Sequence, residues 1–273
     1  MNKFSVLMCV WGGDNPDWFS EAVESILNQT VKPDEVVITA DGPLTPELDN
    51  ILLRLGKNSL FKIIRLDKNY GHGYARNTGL QNCSYDLVAL MDADDISLPY
   101  RFEKQLAFFE EDKDIVGGNM SEFIGEPCNT VGKRIVPQDD AEIKNYMKKR
   151  CPMNQSTVMF KKASVEKAGG YIDWYCDEDY YLWLRMYLAN MKFANVPEIL
   201  VNVRVGEDMY RRRGGIKYFK SEAKLQKYML DNKVIGFARF VLNVSERLVV
   251  QVLMPNCLRA RFFKRFARSN SDV

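Results

Sequence analysis

Soft metal ligands are scarce in this 273-residue sequence: it holds a single histidine, His72, and six cysteines with no CxxC pair, which excludes a structural zinc module. The cysteines, at positions 9, 83, 128, 151, 176 and 257, read as free thiols of a reducing compartment. Long apolar runs are missing too. No stretch approaches the ~18 to 20 residues that cross a bilayer, so a membrane-spanning chain is excluded. The apolar run 4–10 ends at Gly12-Gly13 and is too short for the core of a secretory signal, which makes a cytoplasmic protein the expectation. Low-complexity linkers and internal repeats are also absent. Overall charge of one sign is lacking, since 38 basic residues against 36 acidic ones leave only +2. That average alone points to neither nucleic acid nor an anionic membrane.

What the sequence does contain is an ordinary globular composition, with 46% hydrophobic and 27% charged residues. Its length suits one large α/β domain or two small ones. The charge is unevenly placed. Residues 1–203 carry 22 basic and 30 acidic side chains, net −8, whereas residues 204–273 carry 16 and 6, net +10.

Short β-rich runs alternate with amphipathic stretches over the first two thirds, the pattern of an α/β fold with a mostly parallel central sheet flanked by helices. Strands are expected at Phe4–Val10, Glu35–Ala40, Phe61–Arg65 and Leu87–Met91. Helices are expected over 17–28, 45–55 and 74–81, followed by one from Pro99 to about 111. Further on come a lysine-rich helix over about 139–150, a strand over 156–160, and a helix from about Lys162 that stops at Gly169-Gly170. A helix headed by Asp177-Glu178-Asp179 precedes two separate strand runs, 193–196 and 199–203. The remainder reads as basic and helical.

Two acidic clusters stand out. Asp92-Ala93-Asp94-Asp95 follows the fourth strand directly, and ligands of open α/β sheets bind beyond the carboxyl ends of strands. Three carboxylates within four residues repel one another, and a divalent cation would neutralise them; a polar turn of helix-capping aspartates is the plainer alternative. The second cluster, Asp177-Glu178-Asp179, sits where a helix dipole favours acidic residues. Paired with the first, it suggests one carboxylate acting as general base while the other group holds a metal.

The runs SVLMCV, EAVESILNQT, PDEVVITADG, GYARNTGL, VALMDADD and CDEDYYLWLR resemble, in order and spacing, the family-2 inverting glycosyltransferases over about residues 3–205. DISLPYRFEKQ, IVGGN, STVMFKK and VRVGEDMYRRRGG further resemble the amylovoran-type exopolysaccharide and capsule subgroup. The resemblance implies a Rossmann-like nucleotide-diphospho-sugar transferase (GT-A) fold. It implies a catalytic domain over 1–205, with a nucleotide-sugar half at about 1–98 and an acceptor half at about 99–205, and a basic loop and helical extension over 206–273. Asp41 then matches the aspartate that contacts uracil or ribose, with Val10 and Trp11 beside it, and Arg76 matches a base-contacting arginine. Asp92 and Asp94 match the DxD pair, Asp92 near ribose and metal and Asp94 coordinating Mn²⁺ or Mg²⁺. Asp179 matches the catalytic base and Glu178 its neighbour. Arg211, Arg212 and Arg213 could close over the diphosphate, or form a solvated basic loop.

The implied reaction is transfer from a UDP-sugar to a hydroxyl of a lipid-diphosphate-linked saccharide in capsule, exopolysaccharide or O-antigen synthesis. A sugar-phosphate nucleotidylyltransferase and a catalytically silent assembly partner are the alternatives. Two histidines common in the family are replaced here: Val203-Arg204-Val205-Gly206 and Gln155 stand at those positions. His72 lies in the Tyr70–Gly73 loop, where solvent exposure and a nucleotide-adjacent role both remain open. The segment 235–269 mixes apolar residues with Arg239, Arg247, Arg259, Arg261, Lys264, Arg265 and Arg268, the makeup of a segment lying in an anionic membrane interface. A helical pair packed on the catalytic domain, or a homodimer contact, is the alternative. Nothing resembles a base-reading module, so nucleic acid is not expected as partner. The expected location is the cytoplasmic face of a bacterial inner membrane, by peripheral attachment.

Overall fold

The structure, a computed structural model, describes residues 3–109, 112–206 and 214–254. Four strands, β1 (Phe4–Val10), β2 (Glu35–Ala40), β3 (Phe61–Arg65) and β4 (Leu87–Met91), lie parallel in the order β3-β2-β1-β4. All four coincide with the expected runs, because buried parallel strands read as unbroken Val/Ile/Leu segments stopped by turn residues. Helix α1 (Pro16–Leu27) follows β1; the Asn15 side chain caps it by accepting from the amides of Asp17 and Trp18 at 2.9 and 3.2 Å. Helix α2 (Pro46–Leu55) starts behind Thr45, whose hydroxyl accepts from the Leu48 amide. Helix α3 (His72–Asn82) lies unusually close to the sheet. A Cβ added at Gly79 would sit 2.3 Å from Leu7 Cδ1 and 2.5 Å from Thr39 Oγ1, so only glycine permits this approach.

Beyond β4 the sheet turns mixed. The short β5 (Ile96–Ser97) and helix α4 (Arg101–Phe109) lead to β6 (Ile115–Phe123) and its antiparallel partner β7 (Thr130–Arg134). Helix α5 (Asp140–Met147), β8 (Met159–Lys161), α6 (Lys162–Lys167), α7 (Glu178–Leu188) and β9 (Phe193–Arg204) complete the body. The full order is β3-β2-β1-β4-β8-β6-β9-β5, with β7 on β6. β8 is antiparallel to both β4 and β6, and β9 is parallel to β6. Strand direction is invisible in hydrophobic pattern, so the antiparallel placement of β5, β7 and β8 is not legible in the sequence. The two strand runs expected at 193–203 are one strand. Pro197 and Glu198 loop out of register opposite Gly118–Met120, and the Asn119 side chain donates to the Pro197 carbonyl at 2.6 Å.

The core lies on both faces of the sheet. Phe4, Val6, Met8 and Val10 of β1 pack with Phe19, Ile26, Leu48 and Phe102 on one face, while Leu7, Val88 and Leu90 meet Leu80, Trp183 and Met186 on the other. Two further helices, α8 (Ile216–Asp231) and α9 (Phe237–Leu248), continue this second layer: Leu225, Met229, Val234 and Ile235 are buried with Tyr180, Trp183 and Phe193. Polar bonds join the same surfaces. Ser221 Oγ donates to the Tyr175 carbonyl at 2.6 Å, Asn243 Nδ2 to the Lys148 carbonyl at 2.9 Å, and Arg247 pairs with Glu222 in a largely buried ion pair. No helix among the described residues is long and apolar enough to cross a membrane.

Candidate active site

The parallel register places the ends of β1, β2 and β4 side by side, so Trp11, Asp41 and Asp92 emerge on one edge of the sheet. There a cleft of about 250 Å³ opens between Val10, Trp11, Asp41, Asn69, His72 and Ala75, just under the ~300 to 1,000 Å³ usual for small-molecule sites. Asp41 is buried, and its carboxylate accepts from the Tyr70 and Gly71 amides at 2.7 and 3.0 Å. Gly42, at φ +88°, lets that loop come close, because a Cβ there would lie 2.5 Å from the Asn69 nitrogen. Asp41 therefore hangs one wall of the cleft from the end of β2. Cys9 lines the floor, and burial pushes its thiol to about 12, so it is inert near neutrality.

Arg76, one turn into α3, joins the two acidic clusters. Its guanidinium donates from Nη2 to Asp92 Oδ1 at 2.9 Å and from Nη1 to Glu178 Oε1 at 3.1 Å, although the carboxylates lie 86 positions apart in the chain. Burial opposes its charge, but Asp92 and then Glu178 outweigh this and hold its pKa above the ordinary value. Next to Glu178, the half-buried Asp179 is raised to about 6, first by burial and then by Glu178. Asp177 at the head of α7 is buried, with one carboxylate oxygen lacking a partner. Burial, followed by Glu222 of α8 and by Asp179, raises it well above the carboxylate range.

In the first acidic cluster the three aspartates differ. Asp92 is partly open to solvent, Asp94 is exposed, and Asp95 is buried and accepts from the Arg204 amide at 3.0 Å. Burial, with Asp94 and Asp92 adding to it, raises Asp95 well above the usual range. No group of three His, Cys, Asp or Glu suited to a metal ion occurs among the described residues. Asp92, one oxygen of which pairs with Arg76, and Asp94 are the carboxylates here that could serve as oxygen donors. That set fits a hard divalent cation whose remaining ligands come from a diphosphate and water, as is usual for Mg²⁺.

Of the sequence-predicted residues, Val10, Trp11 and Asp41 line the cleft, and Arg76, Asp92, Glu178 and Asp179 form the charged cluster beside it. Arg211, Arg212 and Arg213 lie outside the described residues. His72 opens α3 at the cleft with its side chain exposed to solvent; partial desolvation at the cleft and then Arg76 lower its pKa. Three residues escaped the sequence reading. Asp14 accepts from the Trp11 amide at 2.9 Å and so shapes the β1 turn. Arg101 is fully buried under the first acidic cluster, donating to the Leu90 carbonyl at 2.7 Å and to Gln105 Oε1 at 2.9 Å. Burial, partly offset by Asp92 and Asp95, brings its pKa down to about 9. The third is Arg204, whose guanidinium lies against two aromatic rings. The DISLPYRFEKQ run contains Arg101, but a charged residue in an amphipathic helix reads as surface.

Comparison with known proteins follows this geometry. The profile described as "Glycosyl transferase family 2" matches residues 5–167. The chain is 37% identical, over 97% of its own length and 97% of the relative's, to the UDP-Gal:alpha-D-GlcNAc-diphosphoundecaprenol beta-1,3-galactosyltransferase of Escherichia coli. It is also 37% identical to the amylovoran biosynthesis glycosyltransferase AmsE of Erwinia amylovora, covering 92% and 94% of the two chains. Among solved structures, S. aureus TarS 1–349 in complex with UDP-GlcNAc superposes with a TM-score of 0.67 at 17% identity, over 97% of this chain and 76% of that one. The mannosyltransferase PcManGT of Pyrobaculum calidifontis, in complex with GDP-Man and Mn²⁺, gives 0.63 at 14%, over 98% and 76%. The fold is that of the GT-A transferases.

Proposed function

Because the chain belongs to glycosyl transferase family 2 and is a glycosyltransferase, we propose that it moves a sugar from UDP to a hydroxyl of a lipid-diphosphate-linked saccharide during bacterial surface-polysaccharide assembly. The observation that carries this reading is the Arg76 bridge, which joins Glu178 of the second acidic cluster to Asp92 of the first, beside the cleft at the ends of β1 and β2. The E. coli relative's name supports a UDP-sugar donor and a lipid-diphosphate acceptor, and the TarS complex supports the same donor class. The AmsE relative, named for amylovoran biosynthesis, supports a place in polysaccharide synthesis.

The chemistry follows from the groups present. An acceptor hydroxyl is a weak nucleophile until a base removes its proton. Asp179, at about 6, is ionised at neutral pH yet more basic than an ordinary aspartate, and takes that proton as the oxygen attacks the anomeric carbon. The bond to the nucleoside diphosphate breaks on the opposite face, so one displacement inverts the configuration. Glu178, held by Arg76, keeps the head of α7 turned towards the cleft. Val10, Trp11 and Asp41 contact the nucleoside. Asp92 and Asp94 would hold a divalent cation, Mn²⁺ or Mg²⁺, which would stabilise the charge of the departing diphosphate, while Arg211 and Arg213 lie outside the described residues.

The attachment proposed is peripheral, on the cytoplasmic face of the inner membrane. Helix α9 and the turn after it leave Phe237, Val241, Leu242, Leu248 and Leu253 exposed, Phe237 by 71%, in a +10 segment. Apolar insertion at ~25 cal/mol per Å² adds to ~1 kcal/mol per basic residue near anionic lipid.

The test incubates purified protein with UDP-Gal, UDP-GlcNAc, UDP-Glc or UDP-GalNAc, Mn²⁺ and a synthetic GlcNAc-diphospholipid. Acceptor-dependent UDP release that stops on adding EDTA is expected. Conversion of the UDP-sugar to UTP and sugar-1-phosphate when pyrophosphate replaces the acceptor would identify a nucleotidylyltransferase, and no turnover with any donor would favour a silent assembly partner.

A further inference from the structure

Arg204, the last residue of β9, is held more tightly than any exposed cation needs to be. Its side chain is 9% exposed. Nη1 donates to the Gly125 carbonyl at 2.8 Å, Nη2 to Glu21 Oε2 at 2.5 Å and Nε to the Asp94 carbonyl at 3.2 Å. The Trp18 and Phe123 rings both lie against the guanidinium, each centroid 4.7 Å from its carbon. Its own amide donates to Asp95 Oδ1 at 3.0 Å.

These bonds draw three separate parts of the chain to one point: α1 through Trp18 and Glu21, the end of β6 through Phe123, and the acidic turn after β4. The turn is gripped twice, through the Asp94 main chain and the Asp95 carboxylate. Asp95 thereby faces inward, and Asp94, its neighbour, is left exposed on the other side of the backbone. A planar fork bonded through Nε, Nη1 and Nη2 to three acceptors has one orientation, which an ammonium group would not have.

We propose that Arg204 is a positioning residue of the donor site: it sets the 92–95 turn so that Asp92 and Asp94 present their carboxylates to a nucleoside diphosphate and its divalent cation. The proposal rests on the donor reading above, and it assigns the turn's geometry to a side chain that touches neither nucleotide nor metal.

The experiment measures UDP binding by calorimetry with MnCl₂ and again with EDTA, on the full chain and on Arg204→Met, Arg204→Lys and Trp18→Leu. Arg204→Met is expected to weaken Mn²⁺-dependent UDP binding at least tenfold while changing EDTA-condition binding less than twofold; Arg204→Lys recovers only part of the loss. Trp18→Leu removes one ring contact from α1 without touching the turn, and is expected to lose two- to fivefold in the same Mn²⁺-dependent term. It carries the test if Arg204→Met does not fold. Unchanged Mn²⁺-dependent binding in a folded variant, or equal weakening with and without Mn²⁺, overturns the proposal. Lack of Mn²⁺-dependent UDP binding by the wild-type chain overturns the donor reading itself, and the positioning role with it.

Discussion

At the scale of single residues, Asp179 ties activity and stability together with opposite signs. Its folded pKa of about 6 lies above the ordinary 3.8, so the folded state favours its proton. Its contribution to stability is fully present below the unfolded pKa and is lost as pH rises through about 6, while its use as a base begins over the same interval. The kcat/KM of transfer should therefore fall about tenfold per pH unit below about 6. Asp179→Asn should lose transfer by a factor of ~10² to 10⁴ yet melt higher at pH 8, by ~1 to 3 kcal/mol, with a smaller gain at pH 5. Near-normal transfer by the purified variant would sink the base assignment. The acidic residues were legible in sequence because carboxylates crowded at a strand end or a helix start are conspicuous. The arginines that answer them were not. Arg76 was legible only through family resemblance, and Arg101 and Arg204 escaped because nothing local distinguishes a buried, stacked guanidinium from a solvated one.

At the scale of elements, β1 to β4 were legible to the residue, since β1, β2 and β4 are buried runs ended by a turn or by aspartate and the edge strand β3 keeps a Phe-Ile-Ile apolar pattern. The helix starts at Asn15-Pro16 and Thr45-Pro46 were legible within a residue, because a cap followed by proline is a local chemical signal. Helix α3 was less so, beginning two residues early at His72, where Gly71 at φ +91° stands in place of a side-chain cap. The continuity of β9 across Pro197 was hidden, because proline normally ends a strand and only the long-range pairing with β6 carries it on. Helix α9 presents a separate question. Its outward face is apolar while its inward face is fixed by Asn243 and Arg247. A Phe237→Asp, Leu242→Asp pair should cut sedimentation with phosphatidylglycerol-containing vesicles at least fivefold and leave the melting temperature within ~2 °C, exposed sites being worth little to the fold. Full retention on vesicles would remove α9 as the contact.

At the scale of the whole molecule, the C-terminal helices and the catalytic body share one core. Leu225 and Met229 are fully buried among residues of α7, so the extension is part of the folding unit and point changes test it better than removal. Helices α8 and α9, which belong to the +10 part of the sequence, thus pack directly on the −8 part. Glu222 takes Arg247 from α9 on one side and lies against Asp177, two residues from Asp179, on the other. If α9 rests on lipid and Asp179 is the base, as proposed above, the two stand at one fixed height above the bilayer plane, and the protein would work as a ruler. It would accept the hydroxyl that a lipid-anchored saccharide lifts to that height and pass over shorter or longer chains, whatever their terminal sugar. Transfer to acceptors of one and four sugars on the same diphospholipid, in vesicles and then in detergent, reads this directly: a length preference present in vesicles and lost in detergent is expected, and one unchanged by detergent would place the selection in the sugar pocket instead.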